Sequence, residues 1–384
     1  MAADITSVNK AAHNETAMSD QMEGCVVSNQ TNLVAGESAE VEEWTSRIFG
    51  SVLIPPLFFV GAPGNLLNLL VFYRQGLQVR INLCLFSLAF ADLMVNCGSF
   101  VFYAERFASL FSKYERFSHV FVFITTKSLQ VIYGFSYVSF IITAIVAVER
   151  CWSIARPLQA HAHLTTKSMA VVLSLIFVSV IGLYYVSAAS WSVACFVDGA
   201  SGVSRVIFTS NDFYSRNRML VDVVERYLFG LSVLCLCLPV VIATTLITSV
   251  KLRQSVRWRE HSAPNGQSRK EAALTKMLIG TSILFIVCLT PFCFFMCLSL
   301  MLSEFRTGGR HHNIIISLSN IAEFFFVVNS SFTTFIYYSF GSRYREAVQG
   351  MCFCSRKRGR KRGEGIIKAV SRGRLPINIF WPNK

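Results

Sequence analysis

The stretch "SLQVIYGFSYVSFIITAIVAVER", residues 128–150, runs for 21 residues without a charge and then ends in Glu149 and Arg150. Roughly 20 apolar residues in a helix span the hydrocarbon layer of a membrane. The composition of the chain agrees, because 53% of its 384 residues are hydrophobic, only 15% are charged, and the mean hydropathy is +0.48. The stretch therefore predicts a membrane-spanning helix whose two charges mark one end.

Seven such stretches predict an all-α membrane protein, a seven-transmembrane helix bundle. The predicted spans are 47–73, 81–104, 119–149, 168–190, 220–250, 272–303 and 313–339. They divide the chain into a disordered extracellular tail (1–46), a membrane domain (47–340) and a basic cytoplasmic tail (352–384). Between the last two, residues 341–351 have the pattern of a short amphipathic eighth helix on the cytoplasmic side.

The distribution of basic residues predicts the orientation. If the amino terminus lies outside, the cytoplasmic segments hold 24 of the 36 Lys and Arg residues, as expected for cytoplasmic loops. The first 46 residues carry eight acids against one Lys, together with N-glycosylation sequons at Asn14 and Asn29. The sequence thus predicts a multi-pass protein of the plasma membrane with an extracellular amino terminus.

The tail contains the basic cluster "SRKRGRKRGEG" at 355–365, which contributes strongly to the net charge of +14. Each basic residue near an anionic lipid surface gains about 1 kcal/mol. The cluster therefore predicts contact with membrane lipids and not with nucleic acid. Cys352 and Cys354 lie just before it and are either palmitoylated at the inner leaflet or unmodified.

Polar side chains inside the spans are energetically costly and carry the most information about function. Asp92 lies near the middle of the second span. We expect an oxygen-lined pocket for a proton or a sodium ion around it, formed with Ser139 of the third span and Asn329, Ser330 and Thr333 of the seventh. The alternative is that these polar groups only join helices by hydrogen bonds.

Short motifs in six of the spans follow one order. They are "GN" at 64–65, "LAFAD" at 88–92, "ERC" at 149–151 followed by Pro157, Pro239, "FIVCLTPF" at 285–292 and "NSSFTTFIY" at 329–337. With these motifs, the region from 45 to 350 resembles the rhodopsin-like (class A) G protein-coupled receptors. The region 74–93 is similar to invertebrate chemosensory or peptide-type receptors. The resemblance implies an extracellular ligand, a heterotrimeric G protein as partner, and no enzymatic activity.

The resemblance also implies a switch at the cytoplasmic face. Arg150 is expected to be held at rest by Glu149 and by Glu271 at the base of the sixth helix, and to be released when that helix swings outward. The further residues implied for the switch and its hinges are Tyr337, Phe285, Pro291 and Pro239. Two simpler interpretations stay open, namely that Arg150 anchors its helix at the headgroups and that Phe285 is an ordinary core residue.

Several positions depart from the family pattern. They are Leu289 in place of a tryptophan, Thr333-Thr334 in place of Asn-Pro, Ile247 in place of a tyrosine, Phe177 in place of a tryptophan, and Thr125 in place of a cysteine. Because Thr125 cannot form the usual disulfide, Cys195 pairs with Cys25, pairs with Cys97, or stays free.

The ligand pocket is expected in the outward-facing cavity among the third, fifth, sixth and seventh helices. Its candidate residues are Lys127, Gln130, Tyr133, Tyr137 and Glu323. Glu323 either binds a cationic ligand group or pairs with Lys127 or Arg226. Mixed charges at the mouth of the cavity favour a peptide or a small zwitterion over a lipid.

Single positions exclude two ligand classes under this resemblance. Val327 occupies the position of the lysine that binds retinal, and Ile132 occupies the position of the aspartate that binds amines. We therefore expect no retinal, no metal site other than the sodium pocket at Asp92, and no other cofactor. A seven-helix transporter or channel that does not couple to G proteins is the alternative function, although the spans lack the internal repeats typical of transporters.

Overall fold

The structure is a computed structural model that describes residues 25–28, 37–109, 119–155, 165–198, 204–260, 266–302 and 312–351. Seven helices in these residues are long and apolar enough to cross a membrane. This confirms the predicted seven-helix bundle. Each predicted span lies within or largely overlaps one of the seven helices, and several helices extend beyond the hydrophobic stretch at one or both ends.

The helices follow one another in chain order. α1 combines Glu37–Thr45, Ser46–Leu53 and Ile54–Gln75, and α2 is Arg80–Ser109. α3 is His119–Ala155 and α4 is Thr166–Ala188. α5 combines Asp212–Asp222, Val223–Leu231, Val233–Cys237 and Leu238–Glu260. α6 is Gly266–Met301, α7 is His312–Phe340, and a short helix α8 follows over 342–351.

The bundle has polar groups inside and apolar groups outside, as a lipid solvent requires. Asn65, Asn68 and Asn96 are completely buried, while α4 exposes Val171, Leu175 and Val178. These three residues share one face because helical neighbours are spaced three or four apart. At the centre, α3 packs against α2, α4, α5 and α6. The interior therefore contains both the apolar core and the hydrogen-bonding groups of the candidate sites.

Prolines follow two of the three π-helical segments among the described residues, one in α1 and one in α5, while the third, Val223–Leu231 of α5, has no proline directly after it. Ser46–Leu53 precedes Pro55 and Pro56, and Val233–Cys237 precedes Pro239. Proline cannot donate a backbone hydrogen bond, and its ring clashes with the carbonyl one turn earlier. A wider turn before the ring relieves this clash. Pro239, a predicted hinge residue, thus follows a π-helical stretch, whereas Pro291 lies inside the continuous helix α6.

A three-stranded sheet lies outside the bundle. β1 (Cys25–Ser28) pairs in parallel with β2 (Trp191–Asp198), and β2 pairs in antiparallel with β3 (Ser204–Ser210). The sequence predicted a disordered tail over 1–46, yet β1 and the helical start of α1 are ordered. The short apolar pair Val26-Val27 has strong β-propensity. It needs an existing strand edge to pair with, which the hydrophobic pattern of the spans does not reveal.

A tight turn and α8 lie at the end of the bundle where α1 and α7 finish. Gly76 ends α1 with φ of 93°, a conformation that other residues rarely adopt. On the same side, the amide of Arg345 donates to the carbonyl of Gly341 at 3.0 Å and starts α8 directly after α7. The turn between α7 and α8 thus brings the first residues of α8 back against α1.

Candidate functional site

Arg150 forms an ion pair with the preceding residue, Glu149, near the carboxyl-terminal end of α3. Its Nε lies 2.8 Å from Oε2 of Glu149, and both side chains are largely buried. Arg80 of α2 approaches the other carboxylate oxygen, with its Nη2 at 3.9 Å. One carboxylate therefore faces two guanidinium groups, and the ion pair of Arg150 lies within α3.

The predicted ion pair between Arg150 and Glu271 is absent from the structure. Glu271 is exposed near the start of α6, and its carboxylate forms no ion pair with Arg150. Arg150 instead faces α6 at the level of Thr275 and Ser282, which lie one to three turns deeper than Glu271. The rotation and depth of α6 relative to α3, which the family position alone does not fix, explain the difference.

Tyr337, the other predicted switch residue, is buried and packs against α1 and α8. Its ring makes an edge contact with Phe72 of α1, with centroids 5.4 Å apart, and a tilted contact with Tyr344 of α8 at 5.8 Å. Phe72 and Tyr344 also contact each other. Three aromatic rings thus join α1, α7 and α8.

Asn68 links the same three helices by hydrogen bonds. Its Nδ2 donates to Thr334 Oγ1 at 2.9 Å, and its Oδ1 accepts from the Tyr344 hydroxyl at 2.6 Å. Burial raises the pKa of the Tyr344 phenol above its usual value, so the hydroxyl stays protonated and able to donate. Thr334, one of the two threonines in place of the Asn-Pro pair, thus binds α1, and Gly64 allows the close approach because a Cβ there would lie 2.7 Å from Thr334 Oγ1.

The predicted pocket around Asp92 is partly assembled. Asp92 is 1% exposed, and its Oδ1 accepts a hydrogen bond from Ser139 Oγ at 2.8 Å. Ser330 is connected through Asn96, whose Nδ2 donates to Ser330 Oγ at 2.9 Å and to the Asp92 carbonyl at 2.8 Å. Asn329 is buried nearby in α7, while Thr333 donates weakly to the Ser330 carbonyl at 3.4 Å.

Sequence reasoning missed the residue that connects this pocket to α7. Asn96 lies one turn after Asp92 on the same face of α2, and it also accepts from Ser331 Oγ at 2.8 Å. The spacing of four residues between two polar side chains in an apolar span was the available signal. Asn65 of α1 also donates to the Ser330 carbonyl, at 2.7 Å.

The donor set near Asp92 suits a hard cation. A carboxylate and hydroxyl oxygens from Ser139 and Ser330 are the ligand types that such ions prefer. Only Ser139 contacts the Asp92 carboxylate directly, whereas Ser330 and Thr333 both donate their hydroxyls within α7. The contact between Asp92 and Ser139 is the part of the predicted pocket that the structure brings together, and the sodium ion stays a prediction.

An aromatic cluster fills the interior where the ligand pocket was predicted. Tyr137 stacks on Phe229 of α5 with centroids 4.6 Å apart and contacts Phe292 of α6 at 6.3 Å. Tyr133 stacks on Tyr184 of α4 at 6.2 Å and contacts Phe326 of α7. The two predicted tyrosines thus bring rings of α3, α4, α5, α6 and α7 together. Gln130 lies about one turn before Tyr133 in α3, and the side chain of Lys127 lies outside the described part.

Glu323 is 3% exposed, and its Oε2 accepts a hydrogen bond of 2.5 Å from the hydroxyl of Tyr103. Tyr103, near the carboxyl-terminal end of α2, is completely buried, and it was not predicted from the sequence. The predicted alternative partners, Lys127 and Arg226, have side chains outside the described part. The structure therefore adds a phenol partner to this buried acid.

Phe285 lies in the core of the bundle beneath the aromatic cluster. Its ring makes an edge contact with Phe140 of α3 at 5.6 Å, and Phe140 in turn contacts Phe326 of α7 at 5.1 Å. Leu289, the residue in place of the family's tryptophan, is 1% exposed beside it. A continuous series of rings therefore joins the pocket residues to α6.

The remaining predictions concern glycosylation, palmitoylation and disulfide residues. Asn14, Asn29, Cys352 and Cys354 lie outside the described residues. The backbones of Cys25 and Cys195 are described, and they are opposite each other in the β1/β2 register. Cys97 has a free thiol in the structure, which is contrary to the predicted alternative of a Cys97 to Cys195 disulfide.

Comparisons with known proteins agree with this architecture. A family model described as serpentine type 7TM GPCR chemoreceptor Srw matches residues 55–355. The protein named proto-oncogene Mas of Homo sapiens is 25% identical over 333 residues, which cover 84% of this chain and 88% of the human protein. The Rattus norvegicus protein of the same name is 26% identical over 241 residues, 62% of each chain.

Proposed function

Since this chain belongs to the serpentine 7TM GPCR chemoreceptor Srw family, we propose that it is a plasma-membrane receptor that binds an extracellular ligand and activates a heterotrimeric G protein. The amino terminus lies outside in this proposal, and the four basic cytoplasmic segments lie inside. Activation proceeds by outward movement of α6, which opens a crevice for the G protein between α3, α5 and α6.

The observation that carries this proposal is the bonding of Arg150. Its ion pair to Glu149 lies within α3, and no ion pair among the described residues ties Arg150 to α6. α6 can therefore move outward without first breaking an ionic bond to α3. The ion pair between Arg150 and Glu149 is partly solvated. Such a pair is stronger than the roughly 0–1 kcal/mol of a surface pair but can still be broken.

We propose a peptide or a small chemosensory molecule as the ligand. The aromatic cluster offers ring faces that bind apolar or cationic groups. Glu323 adds a buried carboxylate at the outer side of this cluster, where a cationic ligand group would exchange contacts with Tyr103. The aromatic contacts from Tyr137 to Phe292 and from Phe326 to Phe140 then connect ligand binding to α6.

The test is ligand-stimulated nucleotide exchange on purified heterotrimeric G proteins by the full chain in lipid nanodiscs. A panel of peptides and small odorant molecules supplies the ligands, and Arg150→Ala is the control receptor. We expect at least one compound to accelerate exchange by the natural sequence and not by the variant. Ligand-evoked current through a bilayer, with no exchange on any G protein, would support a channel instead.

A further inference from the structure

A small cavity lies beside Arg150 at the inner ends of α3, α5 and α6. Its volume is about 10 Å³, which is close to the space that one water molecule occupies. Its walls are Ala147 and Arg150 of α3, three threonines of α5, and a stretch of α6. Five of the lining side chains carry hydroxyl groups, namely Thr244, Thr245, Thr248, Thr275 and Ser282.

Three of these five hydroxyls are bonded within their own helices. Thr244 Oγ1 donates to the Val240 carbonyl at 2.7 Å. Thr275 and Ser282 donate to the carbonyl one turn earlier in α6, at 3.0 Å and 2.9 Å. Back-bonding of this kind is the usual way in which a helix satisfies a threonine or serine in an apolar setting.

The other two hydroxyls are not satisfied in this way. Thr245 is 8% exposed and Thr248 is 4% exposed, and within the described chain neither Oγ1 has a hydrogen-bond partner. Buried hydroxyls without partners cost free energy, and in native proteins each such group calls for an explanation. The two residues are three apart and therefore share one face of α5, the face toward Arg150.

In the part of the chain that the structure describes, Arg150 has N–H donors without acceptors, and these could bond to the two threonine hydroxyls. A guanidinium group has five N–H donors, and in the described residues only Nε of Arg150 is engaged, by Glu149. Ile247, between the two threonines in sequence, is 47% exposed and points away toward lipid. The acceptors that α5 offers to Arg150 are thus the threonine hydroxyls.

We propose that Thr245 and Thr248 form a second binding site for the Arg150 guanidinium, which it occupies after leaving Glu149. This inference rests on the proposed function, because outward movement of α6 enlarges the cavity enough to admit the guanidinium. The two threonines are then positioning residues of the signalling state. In the resting state they are unbonded, and in the signalling state they accept hydrogen bonds from a charged donor.

The test needs no ligand if it uses a receptor that signals on its own. Glu149→Gln removes the carboxylate that holds Arg150, and we expect it to raise basal nucleotide exchange. Adding Thr245→Val and Thr248→Val to that variant should lower its exchange at least about tenfold, because two hydrogen bonds to a charged group are lost. Adding Thr245→Ser and Thr248→Ser instead, which keeps both hydroxyls, should preserve the exchange.

Thr244→Val is the matched control, because Thr244 lines the same cavity but its hydroxyl is bonded to α5 itself. In the Glu149→Gln background it should leave exchange nearly unchanged. The melting temperature of the double valine variant separates a structural role from a positioning role. Since valine replaces hydroxyls that lack partners at rest, the melting temperature should stay equal or rise.

The outcomes separate this inference from the proposed function. If Glu149→Gln stimulates exchange and the valine pair leaves that stimulation intact, the second site is wrong while the receptor function stands. A valine pair that lowers both exchange and the melting temperature contradicts the inference as well, because the threonines are then structural. If neither the natural sequence with any compound nor Glu149→Gln stimulates exchange, the proposed function and this inference fail together.

Discussion

Glu149 occupies a position where one carboxylate faces two arginines. Arg150 lies 2.8 Å away and Arg80 lies 3.9 Å away. Ser153 adds a weak hydrogen bond to Oε1 at 3.5 Å. Loss of the carboxylate leaves two like charges close together in a partly buried site, and like charges in such a setting repel strongly. The resting position of Arg150 therefore depends on Glu149.

Glu149→Gln should raise ligand-free nucleotide exchange by at least about fivefold, which corresponds to ~1 kcal/mol of shift toward the signalling state. Glu271→Gln is the matched variant, because it removes an exposed carboxylate of the same helix bundle that has no bond to Arg150. Its basal exchange should equal that of the natural sequence. If Glu271→Gln raised ligand-free exchange and Glu149→Gln did not, the result would contradict the structure and support an ion pair between Arg150 and Glu271.

Asp92 is 1% exposed and is more deeply buried than Glu323 or Glu149. It is the residue at which we predict a bound cation. Asp92→Asn keeps a similar shape and keeps an oxygen to accept from Ser139, but it removes the charge that binds a cation. We expect the variant to respond to its ligand equally in sodium and in potassium buffers, whereas the natural sequence responds differently in the two. The measurement is ligand-stimulated exchange at matched ionic strength.

Thr333→Val is the control for this test. Its hydroxyl donates to the Ser330 carbonyl within α7 and not to Asp92, so its sodium dependence should match that of the natural sequence. Equal sodium dependence in the Asp92→Asn variant and the natural sequence would contradict the sodium pocket and leave the hydrogen-bonded join between helices as the role of Asp92.

The strand β1 links the amino-terminal segment to the loop between α4 and α5. In the β1/β2 pairing, Cys25 is opposite Cys195. Neighbouring strands lie about 4.8 Å apart, and disulfides form between residues whose Cα atoms are about 4.4 to 6.8 Å apart. In the proposed orientation both strands lie on the extracellular side, which is oxidising and favours such a bond. The register therefore selects Cys25 among the partners that the sequence left open.

We predict a disulfide between Cys25 and Cys195. Peptide mapping of the protein without reduction, after blocking free thiols, should find a fragment that joins the two residues and separates on reduction. Cys25→Ser should leave Cys195 free to react with a thiol reagent, and Cys97→Ser should not. A Cys195 that is alkylated in the natural sequence before any reduction would contradict the bond.

The helices themselves were predictable because each is encoded by a local run of apolar residues, which lipid requires regardless of the neighbours. The contacts between helices were not. Asn68 and Tyr344 are 276 residues apart in sequence, and no local pattern relates them. The predicted ion pair between Arg150 and Glu271 was wrong for the same reason. The family position gives the place of Glu271 along α6 but not the depth and rotation of α6 against α3. The role of Asn96 could have been predicted, because it lies only four residues after Asp92 in the same helix.

The distribution of Lys and Arg residues favours one orientation of the whole bundle in the membrane. The four segments assigned to the cytoplasm hold 24 of the 36 Lys and Arg residues, and moving such segments across a membrane is costly. With this orientation, the Arg150 ion pair and α8 lie on the cytoplasmic side, while Glu323 and the three-stranded sheet lie outside. Every proposal above depends on that assignment.

An epitope tag at the amino terminus should therefore be detected by antibody on intact cells, and a tag at the carboxyl terminus only after permeabilisation. Asn14→Gln combined with Asn29→Gln should also abolish a shift in gel mobility caused by glycosidase, because only an outside segment receives N-glycans. The tagged natural sequence is the control for expression. An amino-terminal tag that requires permeabilisation would place the aromatic cluster toward the cytosol and Arg150 toward the outside, an arrangement in which no G protein could reach the crevice beside it.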